Sequence, residues 1–61
     1  YASVVTLCEV NAGESFDARN LWVKRPGTGE ILAPEYESLL GKFATRALPA
    51  NYQLRWSDVQ R

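Results

Sequence analysis

The chain is 61 residues long, and its seven lysines and arginines balance seven aspartates and glutamates, so the formal charge is zero. It therefore lacks the basic excess with which nucleic-acid binding proteins neutralise phosphate, and no apolar run approaches the ~20 residues that cross a bilayer. One cysteine and no histidine rule out an internal disulfide and any Cys/His cluster of zinc-type ligands.

So short a chain makes a single domain, residues 1–61, and buries only about 60% of the surface its unfolded form exposes. Its stability must come from tight packing or from docking against another domain or subunit. The first residues, Tyr1-Ala2-Ser3-Val4-Val5, already read as a strand, and there is no methionine. We therefore expect a piece of a longer chain. With a lone cysteine and no charged-then-apolar export segment, a reducing, cytoplasmic setting is expected.

In chain order, the opening strand leads to the turn Val10-Asn11-Ala12-Gly13-Glu14. Leu21-Trp22-Val23 is a short β-prone run, followed by the loop Lys24-Arg25-Pro26-Gly27-Thr28-Gly29-Glu30. Pro34 suits the first position of a short helix and Gly41 its left-handed stop. Tyr36, Leu39 and Leu40 should form one apolar stripe on that helix, with Glu35 and Glu37 in its first turn, where the dipole favours them. Phe43-Ala44 and Ala47-Leu48 then give short extended pieces broken by Pro49 and Asn51. The expected core is Val4, Val10, Phe16, Leu21, Val23, Ile31, Leu39, Leu40, Ala44, Leu48, Leu54 and Val59.

A weak internal repeat runs at an offset of 38 residues, carrying Val10 to Leu48, Phe16 to Leu54 and Asn20-Leu21 to Asp58-Val59. Gly13 falls on Asn51, and these residue types most readily accept positive φ. A turn residue matched together with apolar anchors predicts two halves related by a pseudo-twofold. The fold class is mostly β or irregular, built of short strands and single helical turns.

The stretch Asn20-Leu21-Trp22-Val23-Lys24-Arg25-Pro26-Gly27-Thr28-Gly29-Glu30-Ile31 resembles the signature loop of bacterial N-acetylneuraminate (sialic acid) synthases. Leu39-Leu40-Gly41-Lys42-Phe43-Ala44 resembles that family's second landmark, and Ser3-Val4-Val5 with the Val10–Glu14 turn resembles its β-turn opening. The match covers essentially the whole chain, and points to the C-terminal antifreeze-like (SAF) domain, of β-clip or type III antifreeze fold. The resemblance implies an upstream TIM-barrel domain that condenses phosphoenolpyruvate with N-acetylmannosamine or a related acylamino sugar, using manganese or magnesium held in the barrel. It implies that the small domain caps the barrel of its partner in a domain-swapped homodimer. It also implies that one arginine of the Arg-Pro-Gly loop reaches the sugar's acylamino group, and the matching position here is Arg25.

By residue type alone, Lys24 and Arg25 read first as solvated loop charges; the resemblance reverses that preference. A residue before proline is pushed to extended backbone, Pro26 has a fixed φ, and Gly27 and Gly29 allow close backbone approach. Such a loop projects Arg25 outward. Its guanidinium is a planar fork of donors suited to an amide carbonyl or a carboxylate and stays protonated, so it binds rather than acts as a base. Gly27-Thr28-Gly29 is not a nucleotide loop, since no Gly-Lys-Ser/Thr follows.

Elsewhere the residues read as structural. Lys42 should cap helix carbonyls, and Arg46, Arg55 and Arg61 are expected as surface or dimer-contact charges. Trp22 and Trp56 suit either an interface or the core. Cys8 has no histidine to activate it and reads as a small hydrophobe, and the scattered carboxylates offer no acid–base pair. Catalysis by this chain alone is not expected. The competing reading is ice binding, because type III antifreeze proteins share the fold; Glu14, Asp17 and Arg19 oppose it, since charges hold their own hydration. A SAF module of another carbohydrate or assembly protein would lack the Arg-Pro-Gly-Thr-Gly loop.

Overall fold

A computed structural model describes residues 1–60, so Arg61 lies outside the described residues. Strand β1 (Ser3–Thr6) pairs antiparallel with β2 (Leu21–Lys24), with Val4 opposite Val23 and Thr6 opposite Leu21. A 3-10 turn (Ala33–Glu35) runs into the single α-helical turn α1 (Tyr36–Leu39). Strand β3 (Phe43–Ala44) pairs antiparallel with β4 (Val59–Gln60), which follows a second 3-10 turn (Trp56–Asp58).

The repeat seen in the sequence is a physical symmetry. Val10 and Leu48 exchange both backbone hydrogen bonds, at 3.0 and 2.8 Å, so the axis passes between them. Moving outward, the bond from Thr6 N–H to Tyr52 O (2.9 Å) is matched by that from Ala44 N–H to Glu14 O (2.9 Å). Likewise Asn51 N–H to Thr6 O (2.9 Å) is matched by Gly13 N–H to Ala44 O (2.8 Å). Leu54 N–H to Val4 O (2.9 Å) is matched by Phe16 N–H to Lys42 O (2.7 Å). The Thr6–Leu21 pair of one ribbon corresponds to the Ala44–Val59 pair of the other. Gly13 and Asn51 both turn the chain with positive φ, 82° and 56°. Each half thus supplies the backbone partners the other lacks, which buried peptide groups require.

The core sits between the halves. Val4, Val10, Phe16, Leu21, Ile31, Leu39, Ala44, Leu48, Leu54 and Val59 are buried as expected, and Val23 packs half-buried against them. Two positions differ. Val5 is buried although alternation along β1 places it opposite Val4; an isolated antiparallel bridge sets Gln53 beside it. Leu40 is 40% exposed, because the helical turn ends at Leu39 and Leu40 continues in extended backbone (ψ 129°), which takes it off the Tyr36–Leu39 stripe. Gly41 makes the left-handed stop at φ 88°. The last helical carbonyl, that of Leu39, accepts from the backbone N–H of Lys42 at 3.1 Å, so Lys42 closes the turn through its main chain. Pro34 occupies the second position of the 3-10 turn, where no N–H is needed either.

Among the described residues, no helix is long and apolar enough to cross a membrane.

Candidate functional site: the Arg25 loop and its anchors

Residues 25–30 leave the end of β2 and cross over the start of β1. Their path is set by Ser3, whose side chain is fully buried. The Ser3 hydroxyl donates to the Pro26 carbonyl (3.0 Å) and accepts from the Gly29 N–H (3.3 Å), so one Oγ ties both ends of the bend. The glycines are needed for this approach. A Cβ on Gly29 would lie 2.9 Å from both Cβ and Oγ of Ser3, and one on Gly27 would lie 2.7 Å from Cβ of Tyr1. Neither contact is tolerable without displacement.

The turn 51–53 of the other half holds the loop from outside. Gln53 donates from Nε2 to the Thr28 hydroxyl at 2.8 Å, and Lys24 donates from Nζ to Asn51 Oδ1 at 2.9 Å. Between these ties stands Arg25. It is exposed, and its guanidinium has no hydrogen bond or ion pair with any described residue; the Arg25–Pro26 peptide is cis. Beside it lies a shallow depression of about 500 Å³ lined by Val5, Lys24, Arg25, Asn51, Tyr52 and Gln53. Its lining combines the apolar Val5 with two cations, two amides and the Tyr52 ring, a surface suited to hydrogen-bonding a polar ligand.

Beneath the depression is a network that residue types alone did not disclose. Asp58 is 1% exposed, and its carboxylate accepts from Arg46 Nε (2.9 Å), the Tyr52 hydroxyl (2.6 Å) and the Arg55 backbone N–H (3.0 Å). Arg46 also donates to the Tyr52 oxygen at 2.8 Å and lies 5.3 Å from its ring centre. Arg46, expected as a surface or dimer-contact charge, neutralises a buried carboxylate. The repeat held the clue. Asn20, the counterpart of Asp58, is also buried and accepts from the Asp17 N–H at 2.9 Å in the same geometry.

Burial, followed by the Asp58 carboxylate, holds the Tyr52 hydroxyl above the ordinary tyrosine value of 10.0. The protonated form is the one the fold uses, because it donates to Asp58. Tyr52 thus contributes stability that is fully present below the unfolded value and is lost as pH rises through the folded one. A urea-unfolding midpoint followed into alkali should fall for the wild-type chain, and Tyr52→Phe should flatten that decline.

The other candidates take structural places. Arg55 lies 3.8 Å from Glu30, which accepts the Trp56 N–H at 2.8 Å. Trp56 packs half-buried on the core, whereas Trp22 is 53% exposed and meets Tyr36 edge to face at 5.2 Å. Cys8 is exposed, so it does not pack as a small hydrophobe. Among the described residues, no three of His, Cys, Asp and Glu gather as a metal-holding group.

Comparison with known proteins places this architecture. No curated protein sequence matches the chain. Among solved structures, it is similar to the spore coat polysaccharide biosynthesis protein SpsE from Bacillus subtilis, with 30% identity and a TM-score of 0.87. The likeness covers 100% of this chain but 18% of that one, so the chain spans less than a fifth of its relative's length. Residues 1–60 match the family model of the SAF domain, and with the paired half-structures described above the chain belongs to the SAF domain family.

Proposed function

We propose that this SAF domain is the C-terminal, substrate-contacting and dimer-bridging part of an N-acetylneuraminate synthase-type enzyme. In this reading Arg25 of one protomer enters the partner's barrel and donates hydrogen bonds to the acylamino carbonyl of the sugar that is condensed with phosphoenolpyruvate. The observation that carries it is an exposed guanidinium without an internal partner, on a loop tied down on both sides, at the edge of a polar depression. Likeness to a polysaccharide biosynthesis protein supports the same direction. The condensation itself, with its manganese or magnesium, belongs to the upstream barrel, and the enzyme works in the cytoplasm. Arg25 binds and orients; it neither gives nor takes a proton. Ice binding is the weaker reading, because Arg19 is 93% exposed at the surface that would have to shed water.

In the full-length enzyme, Arg25→Ala should lower kcat/KM for the acylamino sugar roughly ten- to a hundredfold, the value of a charged donor's hydrogen bond at about 1.5–3 kcal/mol. The KM for phosphoenolpyruvate should stay near wild type. Arg25→Lys should recover only part of the loss, since an ammonium lacks the planar fork. Unchanged sugar kinetics in Arg25→Ala would remove the residue from the site.

A further inference from the structure

Arg25 lies on the N-terminal half of the pseudo-twofold, yet the two ties between side chains that flank it both come from one turn of the C-terminal half. Asn51 takes the Lys24 ammonium on one side, and Gln53 donates to Thr28 on the other. That turn is itself rigidly placed. Asn51 sits at φ 56° with its N–H on the Thr6 carbonyl (2.9 Å), and Gln53 bridges to Val5 of β1. The loop it grips contains Gly27 and Gly29, whose backbone freedom makes ordering costly.

We infer that Asn51 and Gln53 are positioning residues, which fix where the Arg25 guanidinium stands by holding Lys24 and Thr28 to either side of it. This rests on the substrate-binding role proposed for Arg25. Both ties are exposed side-chain to side-chain hydrogen bonds. Bonds of that kind add little to global stability because water replaces either partner when they break. Their effect falls on geometry instead: a binding group displaced by about an ångström loses most of what its orientation contributes. The buried Ser3 hydroxyl sets the path of the backbone, while the turn 51–53 confines the side of the loop that carries Arg25.

The experiment is steady-state kinetics of the full-length enzyme with phosphoenolpyruvate and the acylamino sugar. Thr28→Val removes the acceptor and keeps the shape; Thr28→Ser keeps the hydroxyl. Gln53→Ala removes the donor, and Asn51→Gly deletes the Lys24 partner while retaining a residue at ease with positive φ. Thr28→Val, Gln53→Ala and Asn51→Gly should each raise KM for the sugar about two- to tenfold, the span of one exposed hydrogen bond, leaving kcat and KM for phosphoenolpyruvate unchanged. Thr28→Ser should behave as wild type. On an Arg25→Ala background, Thr28→Val should add nothing. A full additional increment on that background, or equal rises in both KM values, overturns the positioning role. Silence of Thr28→Val and Gln53→Ala beside a damaged Arg25→Ala enzyme also overturns it, and leaves the role of Arg25 standing. Silence of Arg25→Ala itself overturns the substrate reading first.

Discussion

Replacing Asp58 by alanine is expected to lower the unfolding free energy of the chain by about 2–4 kcal/mol, read from urea unfolding. The carboxylate is the shared acceptor for Tyr52, the Arg55 N–H and Arg46, and it lies in the interior. Two effects compete in setting the size. Breaking a fully buried ion pair costs about 3–5 kcal/mol, because one charge is stranded. Here Arg46 is 54% exposed and returns to water, so the stranded groups are the Tyr52 hydroxyl and the Arg55 N–H, each costing about 1–3 kcal/mol. Asp58→Asn is the informative companion. The other half of the molecule uses Asn20 at the equivalent place and closes its turn with an amide oxygen. Asp58→Asn should therefore keep the Arg55 cap and lose less than half as much stability as alanine. A loss equal to that of alanine would show that charge, and not the cap, dominates.

The second large effect is expected at Phe16. It is the largest fully buried side chain, and its backbone is held on both sides, by Lys42 and by Gly41. Truncation to alanine removes transfer energy and leaves a cavity, together about 3–5 kcal/mol. A domain of this size rarely has more than about 3–5 kcal/mol in total. Phe16→Ala should consequently leave the isolated chain largely unfolded at room temperature, seen as collapse of amide dispersion in an NMR spectrum. Its symmetry mate Leu54 fills the matching site with a smaller side chain. Leu54→Ala should cost less, within the range of about 2–5 kcal/mol. Equal losses at the two sites would mean that the halves pack with equal tightness despite unequal residues. A folded Phe16→Ala chain would mean that the core collapses around the gap.

Most of the core was legible because burial follows residue type when short apolar runs recur between turn residues. Leu40 departed from that rule for a local reason: two apolar neighbours in sequence share a face only while the backbone stays helical, and it leaves the helix one residue early. Val5 departed for a distant one, since the residue bridged beside it is Gln53, far along the chain. The Arg25 loop was visible in its glycines and proline, but its anchors were not. Nothing in the residue types marks Ser3, Asn51 and Gln53 as neighbours of positions 24–29; only the crossing of the two halves makes them so.

By itself the sequence determined the turns, the apolar anchors, the exclusion of a disulfide and the twofold relation, because each depends on local backbone preference or on counting. Matched positive φ at Gly13 and Asn51 is the plainest case: a left-handed turn favours those residue types wherever it occurs. Tertiary structure alone decided which polar groups meet. Asp58 with Tyr52 and Arg46, and the turn 51–53 with the Arg25 loop, are pairings of side chains whose partners depend on how two ribbons are laid against each other. Hydrogen bonds are directional and short-ranged, so such pairings exist only once the backbone has brought the partners within about 3 Å.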